Sequence, residues 1–323
     1  MKEFAAIEQY FRQGFVARDD IILGVGDDAA LVQVPKNMEL AISVDTLVED
    51  VHFPANTSAY DIGYKALAVN LSDMAAMGAT PAWFTLALSC PQMDATWLQE
   101  FSQGLADLAT RHQVSLIGGD TTRSKSAITI SIQVMGIVPK NQALRRDQAK
   151  VGDVICVTGS LGNAGLGLAS VQGQIDLPKK DKQFVEQCLN QPSPKIKAGQ
   201  VLNQLGVCCA IDISDGLLAD LGHILEASQV GATLHLEKTP LSETLKNHIP
   251  TQRAWQLALT SGDDYELCFT VSPDKINTIQ QHLPSIHQIG CIEEIKGLRC
   301  IEPNMEYWQP QKAGYEHFAD SKE

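Results

Sequence analysis

Five stretches of this chain carry acids in settings that suit chemistry: Gly24-Val-Gly-Asp-Asp-Ala29, Ser43-Val-Asp-Thr46, Asn70-Leu-Ser-Asp-Met-Ala-Ala-Met-Gly-Ala-Thr-Pro81, Ile117-Gly-Gly-Asp-Thr-Thr-Arg123 and Ile211-Asp-Ile-Ser-Asp-Gly216. Each sets an Asp beside Gly, Ser or Thr where a regular segment ends, the usual place for a site. Two carboxylates about 4 Å apart repel by roughly 4 kcal/mol at an effective dielectric of about 20, so acids converging on one pocket need cations. Carboxylates and hydroxyls are hard oxygen ligands that favour magnesium or calcium over a soft metal. Magnesium keeps waters and bridges to phosphate, which makes a nucleotide polyphosphate the natural companion. Taken singly, each stretch is better read as an unrelated turn, since Asp and Gly are ordinary turn residues. Taken together, the five point to one site.

The elements that must position these acids follow from periodicity. Ile62, Ala66, Leu67, Leu71 and Met74 recur at helical spacing, so a helix starting near Tyr60 carries Asn70 and Asp73 on one side and stops at Gly78 before Pro81. Leu40 to Val44 forms a short strand delivering Asp45, and 47–53 continues extended. Residues 4–16 form a first helix; Trp83 to Leu88 is a strand, Ala95 to His112 a helix and Ser115 to Ile117 a strand, while Ile128 to Val134 alternates as a half-buried antiparallel strand.

Composition shifts in the polar segment from Pro139 to Asp153, which sets domains at 1–138 and 150–323. Beyond it, Val154 to Val157 is a strand. The Gly-rich run Thr158 to Gly167 lacks the Lys-Ser/Thr ending and the spacing of nucleotide loops and reads as a tight turn into a helix. Gln191-Pro-Ser-Pro194 precedes another helix, and Cys208 to Asp212 is a buried strand. Ser214 to Ala227 is an amphipathic helix whose capping start points free N–H groups at whatever lies beside Ser214 and Asp215. Leu267 to Val271 is a strand entered from Thr260-Ser-Gly-Asp-Asp-Tyr-Glu266, and 290–301 reads as a strand pair. Strands and helices in both halves, with antiparallel character in each, define the class as α+β.

The 323 residues favour two domains. A net charge of -13 without a basic stripe excludes a nucleic-acid partner and suits divalent cations where acids cluster. No apolar run reaches the roughly 20 residues of a membrane span, and the N-terminus lacks a signal-peptide core, so a cytoplasmic protein is expected. The eight cysteines include no Cys-x-x-Cys pair and read as reduced core thiols.

Six motifs in register, the five above and Gly262-Asp-Asp-Tyr-Glu-Leu267, resemble those of thiamine-monophosphate kinases, from about residue 4 to Gly314-Tyr-Glu-His-Phe318. The resemblance implies transfer of phosphate from ATP to thiamine monophosphate with several magnesium ions. It also implies two α/β domains of the aminoimidazole ribonucleotide synthetase-like fold. The first binds ATP and magnesium and pairs through its N-terminal strands in a barrel shared by a homodimer; the second completes the active-site cleft.

By motif position, Asp28, Ser43, Val44 through its carbonyl, Asp45, Asp73, Asp120, Asp212 and Asp215 resemble magnesium ligands. Gly119, Arg146 and Ser214 resemble ATP contacts, and His52, Asp263 and Tyr315 match positions holding thiamine monophosphate. Three positions depart from the pattern: Val44 stands where Thr is common, Asp263 where Glu is common, and Gln103-Gly104 where a Tyr often meets the nucleotide. No Ser-His-Asp or Cys-His constellation is evident, and no general base is assigned. The competing readings are another ATP-using enzyme of this fold group and a non-catalytic module that binds magnesium and nucleotide for regulation.

Overall fold

A computed structural model describes residues 6–12, 14–310 and 314 of the chain. It forms two compact units, one of Met1–Met74 with Ala79–Asn141, the other of Ala75–Gly78 with Gln142–Glu323.

The first unit is built on a four-stranded sheet ordered β3-β6-β4-β5. Edge strand β3 (Met38–Val48) pairs antiparallel with β6 (Thr129–Pro139), β6 antiparallel with β4 (Thr80–Cys90), and β4 parallel with β5 (Ser115–Arg123). A small sheet of β1 (Ile21–Leu23) and β2 (Leu31–Val32) precedes it. Helix α1 (Ala59–Ala76) has no polar face because its side chains from Ile62 to Ser72 are all buried.

Helix α2 (Ala95–His112) is capped by Asp94, whose carboxylate accepts the Trp97 N–H at 2.8 Å. The two helices cross at glycines: a β-carbon on Gly63 would overlap the Phe101 carbonyl oxygen, and one on Gly104 the Tyr60 carbonyl oxygen. Position 104 therefore fixes how closely α1 can lie on α2.

The second unit contains a seven-stranded sheet ordered β13-β12-β9-β11-β7-β10-β8. Its strands are β7 (Val154–Val157), β8 (Cys209–Asp212), β9 (Gly231–His235), β10 (Leu267–Val271), β11 (His287–Glu293), β12 (Gly297–Ile301) and β13 (Tyr307–Trp308). The helices that bear on the site are α3 (Asn163–Val171), α4 (Lys179–Asn190), α5 (Ile196–Gln204) and α6 (Leu217–Ser228). Leu217, Leu221 and Ile224 of α6 enter the main core with Ile155, Val157, Ile211 and Cys268 of the sheet. Mixed sheets with largely antiparallel pairing make both units α+β.

Several sequence expectations are corrected. The segment 290–301 is not a hairpin: β9 lies between β11 and β12, antiparallel to one and parallel to the other. Pairing across β9 buries Cys300 and Ile292 in one core, which a two-stranded ribbon would leave half exposed. Residues 49–52 turn rather than extend, with the Val51 and His52 N–H groups both donating to the Val48 carbonyl and Asp50 left-handed at φ 63°. The first helix shortens to a single turn over Ile7–Phe11 among the described residues, followed by Gly14 at φ 92°. Cys208 is exposed, although five of the other cysteines are buried as core thiols.

Candidate functional site

In the first unit, β3 and α1 assemble the acids. Ser43 and Asp45 are two apart on a strand and share a face, while Asn70 and Asp73 are three apart on the helix. The Ser43 hydroxyl donates to Asp73 Oδ2 at 2.5 Å, and the Asp45 N–H donates to Asn70 Oδ1 at 3.1 Å. Asn70 is fixed in turn, because its Nδ2 donates to the Ala66 carbonyl at 2.9 Å. Val44 lies on the opposite face with its side chain exposed, so only its backbone can serve a ligand on the Ser43 side.

The sheet register places Asp45, Ile132, Leu86 and Gly119 in one row across β3, β6, β4 and β5. Three strand spacings separate its ends, about 14 Å. Asp45 and Asp120 therefore lie on the two opposite edge strands of the sheet. Consistently, among the described residues no three His, Cys, Asp or Glu side chains are gathered as a ready-made metal cage.

Asp28, Gly119 and Asp120 do meet, as lining of a cavity of about 620 Å³ within the first unit. Gly119 is required there because a β-carbon would overlap the Leu86 carbonyl oxygen. Glu8, Arg12 and Asp27 add charge to this wall, and Ile7, Phe11, Leu86 and Leu116 give it an apolar part. Arg12 is held by Glu8 at 2.7 Å, and the Asp27 carboxylate accepts the Asp28 N–H at 2.8 Å. Sequence reasoning passed over Glu8, Arg12 and Asp27; the double Asp after Gly26 was the available signal. His52 sits in the turn after β3, where its Nδ1 accepts the Val48 N–H at 3.0 Å, so the neutral ring carries its proton on Nε2.

In the second unit, Asp212 ends β8 and is buried. The N–H groups of Ser214, Asp215 and Gly216 are not free, as expected from sequence, but all donate to Asp220 Oδ2, at 3.0, 3.1 and 3.1 Å. Asp220 lies in the first turn of α6 and closes the loop as an internal acceptor. Burial, then the neighbouring Asp215, pushes its carboxyl up to about 7 against the pull of those N–H donors. We expect Asp220→Ala to cost about 1–3 kcal/mol in denaturant unfolding, because one buried and two part-buried donors lose their acceptor, and Asp220→Asn to recover most of it.

Asp263 belongs to a turn in which Gly262, Asp263 and Tyr265 are all left-handed, at φ 71°, 60° and 49°. Such backbone persists only where its surroundings over-determine it. The Asp263 N–H donates to the Ser214 carbonyl and the Tyr265 N–H to the Ile213 carbonyl, at 2.9 and 2.8 Å. The Tyr265 hydroxyl donates to Asp263 Oδ1 at 3.1 Å. This turn thus brings Asp263 beside Ser214 and Asp215.

Between them, Asp264 turns inward and accepts the Gly162 N–H at 2.7 Å, capping α3. The Gly-rich stretch is accordingly a turn into a helix, with Gly162 at φ 84°. Burial pushes the Asp264 carboxyl up to about 8, opposed by the Gly162 N–H. A raised folded-state pKa means that the native state holds a proton the unfolded chain releases. Its contribution to stability is therefore complete below the ordinary carboxylate value near 4 and lost as pH rises through about 8. Asp264→Asn should flatten that decline in unfolding free energy measured from pH 4 to pH 8.

Arg146 is exposed in a single helical turn, Arg146–Gln148, whose backbone is tied to α6 by the Ser228 hydroxyl donating to the Arg146 carbonyl at 2.8 Å. Tyr315 lies outside the described residues.

Comparison with known proteins fits this arrangement. Residues 26–138 match the family of AIR synthase related proteins, N-terminal domain, and residues 150–299 its C-terminal domain. The thiamine-monophosphate kinase of Escherichia coli (strain K12) is 44% identical over 326 aligned residues, with 98% of each chain covered. A crystal structure of the thiamine-monophosphate kinase from Stenotrophomonas maltophilia K279a superposes with a TM-score of 0.83 at 42% identity, covering 92% of this chain and 93% of that one. A solved structure described as AaThiL complexed with AMPPCP and TMP gives a TM-score of 0.78 at 27% identity, covering 88% and 89%.

Fold and domain matches together define a two-domain protein of the AIR synthase related class. Within that class, the chain belongs to the thiamine-monophosphate kinase family.

Proposed function

We propose that this protein transfers the terminal phosphoryl group of ATP directly and in line to thiamine monophosphate, giving thiamine diphosphate and ADP, with several magnesium ions bound. The carrying observation is that β3 and α1 bring Ser43, Asp45 and Asp73 together while Asp28, Gly119 and Asp120 line one cavity. Family membership and a relative solved with an ATP analogue and TMP support the same reading.

The donor set fits magnesium, since Asp28, Ser43, the Val44 carbonyl, Asp45, Asp73 and Asp120 in the first unit, and Asp212 and Asp215 in the second, all offer oxygen. In this reading the acids, carried by β3, α1, β5 and the turn at Asp28, hold more than one ion. When bound, the ions supply charge neutralisation for two anionic phosphates and a template for alignment. The protein's own residues do the rest. Asn70 fixes the Asp45 backbone and Ser43 the Asp73 carboxylate, Gly119 lets phosphate approach the β5 backbone, and Arg146 and Ser214 contact ATP. His52, Asp263 and Tyr315 hold thiamine monophosphate. The acceptor phosphate has a second pKa of about 6 and is mostly a dianion at neutral pH, so no side chain need remove a proton.

The active form is a homodimer joined through β3. This is an edge strand whose Leu40, Ile42 and Val44 share one face and are 39, 55 and 60% exposed, which a solitary unit would leave to water. Ile42→Lys is expected to convert a dimer to a monomer in sedimentation analysis. Among the described residues no helix is long and apolar enough to cross a membrane. We place the protein in the cytoplasm, where ATP is at hand and thiols remain reduced.

Incubating the protein with ATP, magnesium and thiamine monophosphate should yield thiamine diphosphate and ADP in equal amounts. ATP consumed without that product would instead favour another enzyme of the fold class, and no consumption a binding module.

A further inference from the structure

The motif Gln191-Pro-Ser-Pro194 has no part in the chemistry above, yet the structure gives it a clear job. Both prolines are buried, each fixes its own φ, and each restricts the residue before it to extended backbone. The chain therefore reaches Lys195, the residue that opens α5, with little freedom. The Lys195 ammonium lies 2.9 Å from Glu266 Oε1, and the Thr158 hydroxyl donates to Glu266 Oε2 at 2.5 Å. Thr158 Oγ1 also accepts the Leu267 N–H at 2.9 Å. A β-carbon on Gly159 would overlap the Glu266 carboxylate, so the turn closes tightly over it.

Glu266 is the residue on which the left-handed turn 262–265 ends. Asp264 and Glu266 point inward to α3 and to Lys195, while Asp263 and Tyr265, alternating with them, hydrogen-bond to each other. Left-handed Asp and Tyr are costly, and something must hold them.

We propose that Lys195, delivered by the Pro-Ser-Pro segment, is a positioning residue for the substrate turn: its ion pair with Glu266 keeps Asp263 and Tyr265 in the conformation that meets thiamine monophosphate. This rests on the reading of Asp263 as a substrate contact. The charge on Lys195 is used on the turn and not on a phosphate. A carboxylate presented by Asp263 suits the cationic, amino-bearing ring system of that substrate, and loosening the turn would weaken that contact while sparing ATP.

The test compares Lys195→Met, Lys195→Arg and the double variant Lys195→Met/Glu266→Gln, which removes the stranded buried charge while keeping an acceptor for Thr158. Lys195→Met is expected to raise KM for thiamine monophosphate about tenfold with KM for ATP unchanged, and Lys195→Arg to restore it. Hydrogen exchange should quicken at the Asp263 and Tyr265 amides in Lys195→Met and in the double variant, while β7 and β10 stay protected. Unchanged exchange at those two amides, or equal rises in both KM values, would overturn the proposal. Wild-type turnover tests the activity itself, and the exchange experiment reads the positioning role even if that activity proves to be another.

Discussion

Asp73→Ala is expected to lower kcat at saturating magnesium by at least about 10³-fold, roughly 4 kcal/mol of transition-state stabilisation, with the fold retained. Asp73 lies where α1 faces β3, accepts the Ser43 hydroxyl, and is the acid of α1 closest in sequence to Asn70, which holds Asp45. Removing it takes a proposed magnesium ligand from the first unit and frees Ser43. The structural loss is small by comparison, because a single hydrogen bond contributes about 1 kcal/mol and Asp73 is only partly buried. Asp73→Asn separates the two effects. It keeps an acceptor for Ser43 but removes the charge, so melting should return to the wild-type temperature while turnover stays low. Wild-type kcat in either variant would show that this carboxylate binds no catalytic ion.

The second large effect is on stability, and its sign is the informative part. Judged as a helix position alone, Gly104→Ala should stabilise by about 1 kcal/mol, since glycine is a poor helix former. The packing says the reverse. A methyl group at 104 meets the Tyr60 carbonyl oxygen of α1, and a rigid backbone atom cannot rotate away. Overpacking of this kind costs about 3 kcal/mol, so the denaturation midpoint should fall. Because α1 carries Asn70 and Asp73, separating the helices should also lower activity in the protein that remains folded. A higher midpoint would mean that the two helices do not cross at these glycines.

What the sequence made legible follows from how local each feature is. Helical spacing was enough to put Asn70 and Asp73 on one side of α1, and alternation was enough to recognise β6, because each pattern is written within one element. Helix α2 was legible from Ala95 to His112, and the structure adds its Asp94 cap and the left-handed Gln113 that ends it. The Gly63 and Gly104 crossing was hidden, since nothing in either glycine says which backbone approaches it.

The split of 290–301 around β9 was hidden for a related reason: strand pairing is a property of partners some 60 residues away, and adjacency in sequence only suggests a hairpin. Around the cavity, the Gly-Asp-Asp and Gly-Gly-Asp motifs marked Asp28 and Asp120, yet Arg12 and Glu8 joined it from an N-terminal turn without a motif. Asp220 was overlooked because a carboxylate in the first turn of a helix ordinarily reads as a favourable charge at the dipole, whereas here it takes up three N–H groups that had been reserved for a ligand.

The proposed phosphoryl transfer depends on metal ions held by acids that lie apart in the chain. The most direct measurement is anomalous diffraction from crystals grown with manganese in place of magnesium, a non-hydrolysable ATP analogue and thiamine monophosphate. We expect more than one anomalous peak at bonding distance from carboxylate oxygens, with Asp28 or Asp120 at one and Asp45 or Asp73 at another. Nucleotide bound in the crystal with no manganese peak on any of these aspartates would contradict the account.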